Sequence, residues 1–406
     1  MKILAIETSC DETAIAILEA EGGFENPQFK LIADNLNSQI ELHREYGGVY
    51  PTIAKREHTK NLIPVLEKTL KDAQVLRYIV VPEGVGINID KKKKEEVEKI
   101  LEREPELLAT FLDFIPTIEK PDIDYIAVTQ GPGLEPALWI GLNFAKALSV
   151  FWDIPFIPVN HMEGHVLSVL WDEKKDSRFK IQDSRKIRFP ALALLISGGH
   201  TQLVLMQDWL QYEIIGETQD DAVGEAFDKV ARMMGLPYPG GPEISALANK
   251  TRNLDVGRLN SEFEKKFNLP KPMIHSGNCH FSFSGLKTSI LYKIKDLDLD
   301  DEVKAQMARE FEDTVVEILL KKTERAIEEN EVKTLIIGGG VIANKEIRKA
   351  FQKFAEEKEL NLLIPEMKLT GDNAIMIGIA GYFRALKNPK GVDIDGIRAD
   401  GNLRLK

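Results

Sequence analysis

Cysteine is almost absent: Cys10 and Cys279 are the two in 406 residues. A disulfide scaffold is thereby excluded, as is a zinc site built on thiolates alone, and the usage suits a reducing cytosol. Long apolar runs are missing as well. None reaches the roughly 20 residues a membrane helix needs, and Ile3-Leu4-Ala5-Ile6 meets Glu7 too soon for a signal peptide. A cytoplasmic protein with no membrane role is expected. Positive charge is in deficit, with 53 Lys and Arg against 64 Asp and Glu and a net charge of −11. A chain that only coats nucleic acid is normally basic, so contact with a polyanion would need a local basic patch. Candidate patches are Arg185-Lys186-Ile187-Arg188, Lys265-Lys266 with Lys271, and the run Lys91–Lys94.

What is present is a globular composition, 43% apolar, on a chain long enough for two or three domains. Its pattern repeats. Ile3–Ile6 and Ala14–Leu18 are apolar strands around the polar turn Glu7-Thr8-Ser9-Cys10-Asp11-Glu12-Thr13. Ala191–Ile196 and Leu203–Met206 likewise flank Ser197-Gly198-Gly199-His200-Thr201. Each hairpin is followed much later by a strand, a Gly-rich loop and a helix. These are Tyr125–Val128, Gly131-Pro132-Gly133 and a helix near Ala137–Val150, then Thr334–Ile337, Gly338-Gly339-Gly340 and a helix near Lys345–Glu357. The same order in both halves argues for a duplicated α/β architecture. Residues Lys71–Lys120 interrupt the first half, and Val97, Ile100, Leu101, Leu108, Phe111 and Leu112 around Pro105 predict a short helical hairpin on the surface.

Several motifs carry chemistry. Ser197–Thr201 combines hydroxyls with glycines, so its backbone N–H groups can approach a phosphate closely. Thr8-Ser9 is crowded by Glu7, Asp11 and Glu12, which would repel a phosphate but not a metal, an amine or water. His161-Met162-Glu163-Gly164-His165 places two imidazoles at i and i+4 on one helix face, a geometry that can chelate an ion. Met162 stands where a His-Glu-x-x-His protease has its glutamate, and Glu163 points to another face. A third ligand must come from afar. Asp372 is a candidate, although at its loop-to-helix junction it would equally serve as an N-cap. Gly338-x-Gly340-x-x-Ala343 matches a dinucleotide fingerprint, but too little chain follows for a full Rossmann domain; a loop beside a nucleotide's sugar and base, with Asn344 offering its amide, is the more modest reading. Asp228, one to two turns into a helix opened by Asp220 and Asp221, is a candidate ribose ligand.

In order along the chain stand Ile6-Glu7-Thr8-Ser9-Cys10-Asp11-Glu12-Thr13, His161-Met162-Glu163-Gly164-His165, Ser197-Gly198-Gly199-His200-Thr201-Gln202-Leu203, Gly224-Glu225-Ala226-Phe227-Asp228-Lys229, Phe281-Ser282-Phe283-Ser284-Gly285-Leu286-Lys287-Thr288 and Thr370-Gly371-Asp372-Asn373. Together they closely resemble the TsaD/Kae family of tRNA N6-adenosine threonylcarbamoyltransferases, in its bacterial branch. The resemblance implies two RNase-H-like halves of the actin/Hsp70/sugar-kinase type. The first would span 1–160 with about 373–406 and carry the insert at about 71–120. The second would span 161–372 and carry most of the nucleotide and metal site. It implies transfer of a threonylcarbamoyl group from threonylcarbamoyl-AMP to N6 of the adenosine 3′ of the anticodon, in tRNAs reading codons that start with A. It implies one divalent metal ion, iron or zinc, on His161, His165 and Asp372, and adenylate contacts from Leu195, Ile196, Ser197, Gly198, Gly199, Asp228, Gly241 and Asn344. Expected partners are tRNA, a TsaB-like paralog and a TsaE-like ATPase. Glu135-Pro136 departs from the family's pattern at the start of the first-half helix.

The chemistry agrees. An exocyclic adenine amine is a poor nucleophile, and Asp11 or Glu12 could orient it or accept its proton. A sugar kinase or ATPase on the same fold is the competing enzyme class, disfavoured because Mg²⁺ prefers oxygen ligands to paired histidines. A metalloprotease lacks its glutamate, and a non-enzymatic scaffold would not need the complete ligand set.

Overall fold

A computed structural model describes residues 1–80, 89–172, 186–256, 266–295 and 297–406. The chain divides into two units, Met1–Lys180 with Asp372–Leu405, and Ile181–Gly371. In the first, β1 (Lys2–Glu7), β2 (Glu12–Glu21), β3 (Gln28–Ser38), β4 (Tyr125–Gly131) and β5 (Phe156–Asn160) form one sheet in the order β3-β2-β1-β4-β5. The β1–β2–β3 pairings are antiparallel and the β1–β4–β5 pairings parallel. Ile3, Leu4, Ala5 and Ile6 are all buried, as a central strand covered on both faces requires. The helices are α1 (Ile40–Arg44), α2 (Pro51–Asp72), α3 (Lys91–Ile100), α4 (Pro105–Phe114), α5 (Glu135–Trp152) and α6 (His161–Leu167).

The second unit repeats this topology. Strands β6 (Ala191–Ile196), β7 (Thr201–Asp208), β8 (Gln211–Glu217), β9 (Thr334–Gly338) and β10 (Asn361–Leu363) run in the order β8-β7-β6-β9-β10, again with an antiparallel hairpin side and a parallel side. Its helices are α7 (Val223–Met233), α8 (Gly240–Val256), α9 (Ser284–Ile294), α10 (Asp301–Asn330) and α11 (Lys345–Glu357). The chain then returns to the first unit as α12 (Ala374–Lys387). Strand order and direction match between the units, so this is the duplicated RNase-H-like fold of the actin/Hsp70/sugar-kinase class.

Two expectations need correction. The first unit extends past residue 160, because α6 packs on α12, β4 and β5; both histidines therefore belong to the first unit and not to the second. The insert is shorter and deeper than a surface hairpin from 71 to 120. Lys71 and Asp72 finish α2, and Val97, Leu101, Leu107, Phe111 and Ile115 are fully buried in the first unit's core. Glu135 and Pro136, which depart from the family's pattern, open α5, since proline in a helix's first turn forfeits no hydrogen bond.

Candidate metal centre and nucleotide cavity

The metal-ligand candidates converge within the first unit. Asn160 caps α6, its Oδ1 accepting from Met162 and Glu163 N–H, and so sets His161 and His165 on one face. Asn373, and not Asp372, caps α12, its Oδ1 accepting from Met376 N–H at 2.9 Å. Asp372 is thereby left facing the histidines. One of its oxygens, Oδ1, lies 3.3 Å from His161 Nε2 and 3.2 Å from His165 Nε2. The three ligand atoms fall within 4.8 Å of one another.

The donor set fits a divalent ion. His165 Nδ1 is buried without a hydrogen-bond partner among the described residues, and His165 Nε2 faces the Asp372 carboxylate, an arrangement that suits a lone pair used for ligation. His161 Nδ1 donates to Glu7 Oε2 at 3.1 Å, which turns the Nε2 lone pair toward Asp372. Carboxylate–histidine pairs of this kind orient metal ligands elsewhere. Burial disfavours the His161 cation, yet the charges of Asp372 and Glu7 outweigh it and hold the imidazole's pKa well above its ordinary value. Burial would likewise raise Asp372, but the facing histidines pull its carboxyl far below the usual range. Two carboxylates around buried imidazoles attract positive charge, whether proton or metal.

Glu7 also anchors the following turn, accepting from Ser9 N–H and Thr129 Oγ1. Thr8 and Ser9 are buried. Thr8 Oγ1 donates to Ala137 O, and Ser9 O accepts from Leu134 N–H. The start of α5 thus fills this turn and leaves it closed to a phosphate. Next come Asp11, buried, and Glu12, half-buried. Burial and then the Asp11 charge push the Glu12 carboxyl well above its ordinary pKa.

The equivalent turn of the second unit is open. Ser197 closes it locally, its N–H donating to His200 O and its Oγ accepting from His200 N–H. Thr201 Oγ1 and Ser197 O engage the N–H groups of Val223 and Gly224 at the start of α7. Gly198 and Gly199 N–H have no partner among the described residues, and a Cβ on either would meet nothing within 4 Å. Gly224 is needed for this approach: a Cβ there would lie 2.6 Å from Ser197 O. A cavity of about 480 Å³ opens beside the turn, lined among others by Gly198, Phe227, Asp228, Tyr238, Gly241, Ser245, Glu312 and Asn344. That is the size and mixed character of a small-molecule site.

Of the expected adenylate residues, Gly198, Asp228, Gly241 and Asn344 line this cavity. Leu195 and Ile196 are fully buried, so only their backbone could serve a ligand; Ser197 and Gly199 belong to the turn. Two of the polar side chains are already engaged. Asp228 Oδ1 accepts from Gly240 N–H at the start of α8, and burial raises its pKa. Asn344 Oδ1 caps α11 through Glu346 and Ile347 N–H, while its Nδ2 donates to Ser245 Oγ and Glu312 Oε1. Both therefore hold the cavity's walls in place.

The basic patches divide. Arg185 and Lys265 lie outside the described residues. Lys186 and Arg188 are exposed, and Lys271 pairs with Glu317. In the insert, Lys91 and Lys94 pair along their helix with Glu95 and Glu98, and Lys93 binds Asp153 and Phe151 O at the end of α5. Lys93 thereby ties α3 to the end of α5. Sequence reasoning missed Glu7 as the partner of His161, Arg384 as the partner of Glu163, and Asp220. The Asp220 carboxylate accepts from Ser282 and Ser284 hydroxyls and from Phe283 N–H, docking the Phe281–Thr288 motif beside α7. No helix among the described residues is long and apolar enough to cross a membrane.

The family model for tRNA N6-adenosine threonylcarbamoyltransferase, TsaD, matches residues 30–83 and 105–379. The stretch it skips contains α3. A protein of that name from Chromobacterium violaceum is 39% identical over 389 residues, covering 95% of this chain and 93% of its own. One from Thermosipho africanus is 39% identical over 408 residues and covers both chains fully. Among solved structures, component A of the Acidaminococcus fermentans (R)-2-hydroxyglutaryl-CoA dehydratase covers 96% of this chain and 99% of its own at 11% identity, with a TM-score of 0.44.

Proposed function

This chain belongs to the TsaD family of tRNA N6-adenosine threonylcarbamoyltransferases, and from that premise we propose that its donor is threonylcarbamoyl-AMP and its acceptor N6 of the adenosine 3′ of the anticodon, in tRNAs reading codons that start with A. The observation that carries the reading is the His161–His165–Asp372 cluster, whose three ligand atoms lie within 4.8 Å of one another. These residues would hold one iron or zinc ion, which when bound supplies Lewis acidity toward the donor's oxygens.

The remaining steps are assigned to the chain's own groups. The N–H groups of Gly198 and Gly199 bind the phosphate of the adenylate, and the cavity wall of Phe227, Asp228, Gly241 and Asn344 receives its nucleoside. In the reaction the N6–carbonyl bond forms, the carbonyl–phosphate bond breaks and AMP leaves. The proton lost from N6 passes to Glu12, with Asp11 beside it. A carboxylate whose pKa is raised toward the working pH is a stronger base than an ordinary one. A TsaB-like paralog and a TsaE-like ATPase are the proposed protein partners.

The nucleotide product tests this reading. Incubation with tRNA and threonylcarbamoyl-AMP should release AMP in step with tRNA modification. Release of ADP from ATP with phosphate transfer to a small alcohol, and none with threonylcarbamoyl-AMP, would instead make the chain a kinase.

A further inference from the structure

We propose that His43, Gln39 and His58 form a one-way hydrogen-bond relay that positions the Cys10-Asp11-Glu12 turn, making all three positioning residues for the reaction. The inference rests on the role given above to Asp11 and Glu12. The three side chains are essentially fully buried, and among the described residues none hydrogen-bonds to the metal-ligand cluster. Buried polar groups of this kind are costly unless each is matched.

The direction of the relay is fixed at its ends. Tyr50 N–H can only donate, and it reaches His43 Nδ1 at 3.3 Å. His43 must then carry its proton on Nε2, which faces Gln39 Oε1 at 3.3 Å. At the other end Cys10 O can only accept, and His58 Nε2 stands 3.0 Å from it. His58 Nδ1 is therefore the acceptor, its one lone pair shared between Thr13 Oγ1–H at 2.8 Å and the longer contact from Gln39 Nε2–H at 3.4 Å. The Gln39 amide is oriented as both imidazoles require when both rings are neutral. Burial pushes the His58 pKa below its ordinary value, in keeping with this state. The backbone adds a second clamp, since Gln39 N–H donates to Asp11 O at 2.9 Å. Two successive carbonyls of the turn, Cys10 and Asp11, are thus held by His58 of α2 and by Gln39 just after β3. Beyond the relay's far end, Tyr46 and Tyr50 are more than half exposed and in ring contact, so the relay links a surface loop to the turn.

The test has two arms. Nitrogen-15 NMR of the histidine-labelled full chain should find His43 and His58 both neutral with the proton on Nε2; a His58 proton on Nδ1, or a charged ring, would overturn the relay. In the transfer assay, His58→Gln keeps a donor within reach of Cys10 O, whereas His58→Asn is too short. The Asn variant should lose about 10- to 100-fold in kcat, as expected when a catalytic group shifts by about an ångström. Its KM for tRNA should stay within about twofold, its metal content should equal wild type, and the Gln variant should recover most of the rate. Equal losses in the two variants, or a change confined to KM, would show a space-filling role and sink the proposal. Full activity in Asp11→Asn and Glu12→Gln would remove the turn from the reaction, and this inference with it, while the tautomers would still report whether the relay exists.

Discussion

Glu163 of α6 and Arg384 of α12 close a bidentate ion pair, Oε2 to Nε at 2.8 Å and Oε1 to Nη2 at 2.9 Å, with Glu163 fully buried. Gly164 lets the helices meet, since a Cβ there would lie 3.0 Å from Met376 Cγ. The pair fastens the helix carrying both histidines to the helix that follows Asp372. Arg384→Ala leaves the Glu163 charge buried without its guanidinium and should cost about 3 kcal/mol. Arg384→Lys should recover only part, because an ammonium cannot make the fork. Denaturant unfolding reads the stability. Elemental analysis should show Arg384→Ala retaining less metal than wild type, and His161→Ala or His165→Ala retaining none.

Glu12 gives a pH signature. Its folded pKa is raised, so the folded state binds a proton more tightly than the unfolded chain does. Its stabilising contribution is complete below the unfolded pKa of about 4.5 and is lost as pH rises through the folded value. At neutral pH Glu12→Gln should therefore be more stable than wild type while losing transfer activity. Unfolding curves at pH 5 and pH 8 check it: the variant's advantage should grow with pH.

Asn344 caps α11 and lines the cavity, so its substitutions should separate two effects. Asn344→Ala removes the acceptor for Glu346 and Ile347 N–H and should cost about 1–2 kcal/mol of stability as well as AMP affinity. Asn344→Asp keeps the cap but sets a carboxylate against Glu312 Oε1, now 2.6 Å from Nδ2, and should disturb the cavity wall more than the helix. Gly198→Ala, by contrast, meets no atom and should leave folding intact while weakening AMP binding. Thermal unfolding with calorimetric AMP titration distinguishes the three.

The insert should prove structural. Phe111→Ala empties a fully buried site and should cost about 3–5 kcal/mol. Neutralising Lys91 and Lys94, whose charges already face Glu95 and Glu98, should change tRNA affinity and its salt dependence little. Filter binding across a salt series measures the latter.

Much of this was legible in the chain. Hairpins, Gly-rich loops and the span of α11 follow from local periodicity and turn residues, and the duplicated order of elements gave the fold class. The histidine pair was legible because helical spacing alone brings i and i+4 together. The depth of α3 and α4 was not, because a lysine-rich start masks an apolar stripe whose partner surface lies on α2 and α5. Glu163–Arg384 and Gln39–His43–His58 were hidden for a different reason: pairings between distant segments leave no periodic trace. Asn344 shows the converse, a side chain identifiable from its loop whose engagement by Ser245 and Glu312 only the folded chain shows.

Transfer of threonylcarbamoyl from its adenylate to tRNA is proposed to need His161, His165 and Asp372. Mass spectrometry of nucleosides from tRNA incubated with threonylcarbamoyl-AMP, the wild-type chain and its proposed protein partners decides this. The expected result is N6-threonylcarbamoyladenosine at the position 3′ of the anticodon with the wild type and none with Asp372→Ala. Unmodified adenosine with the wild-type chain, or equal modification by the variant, would contradict it.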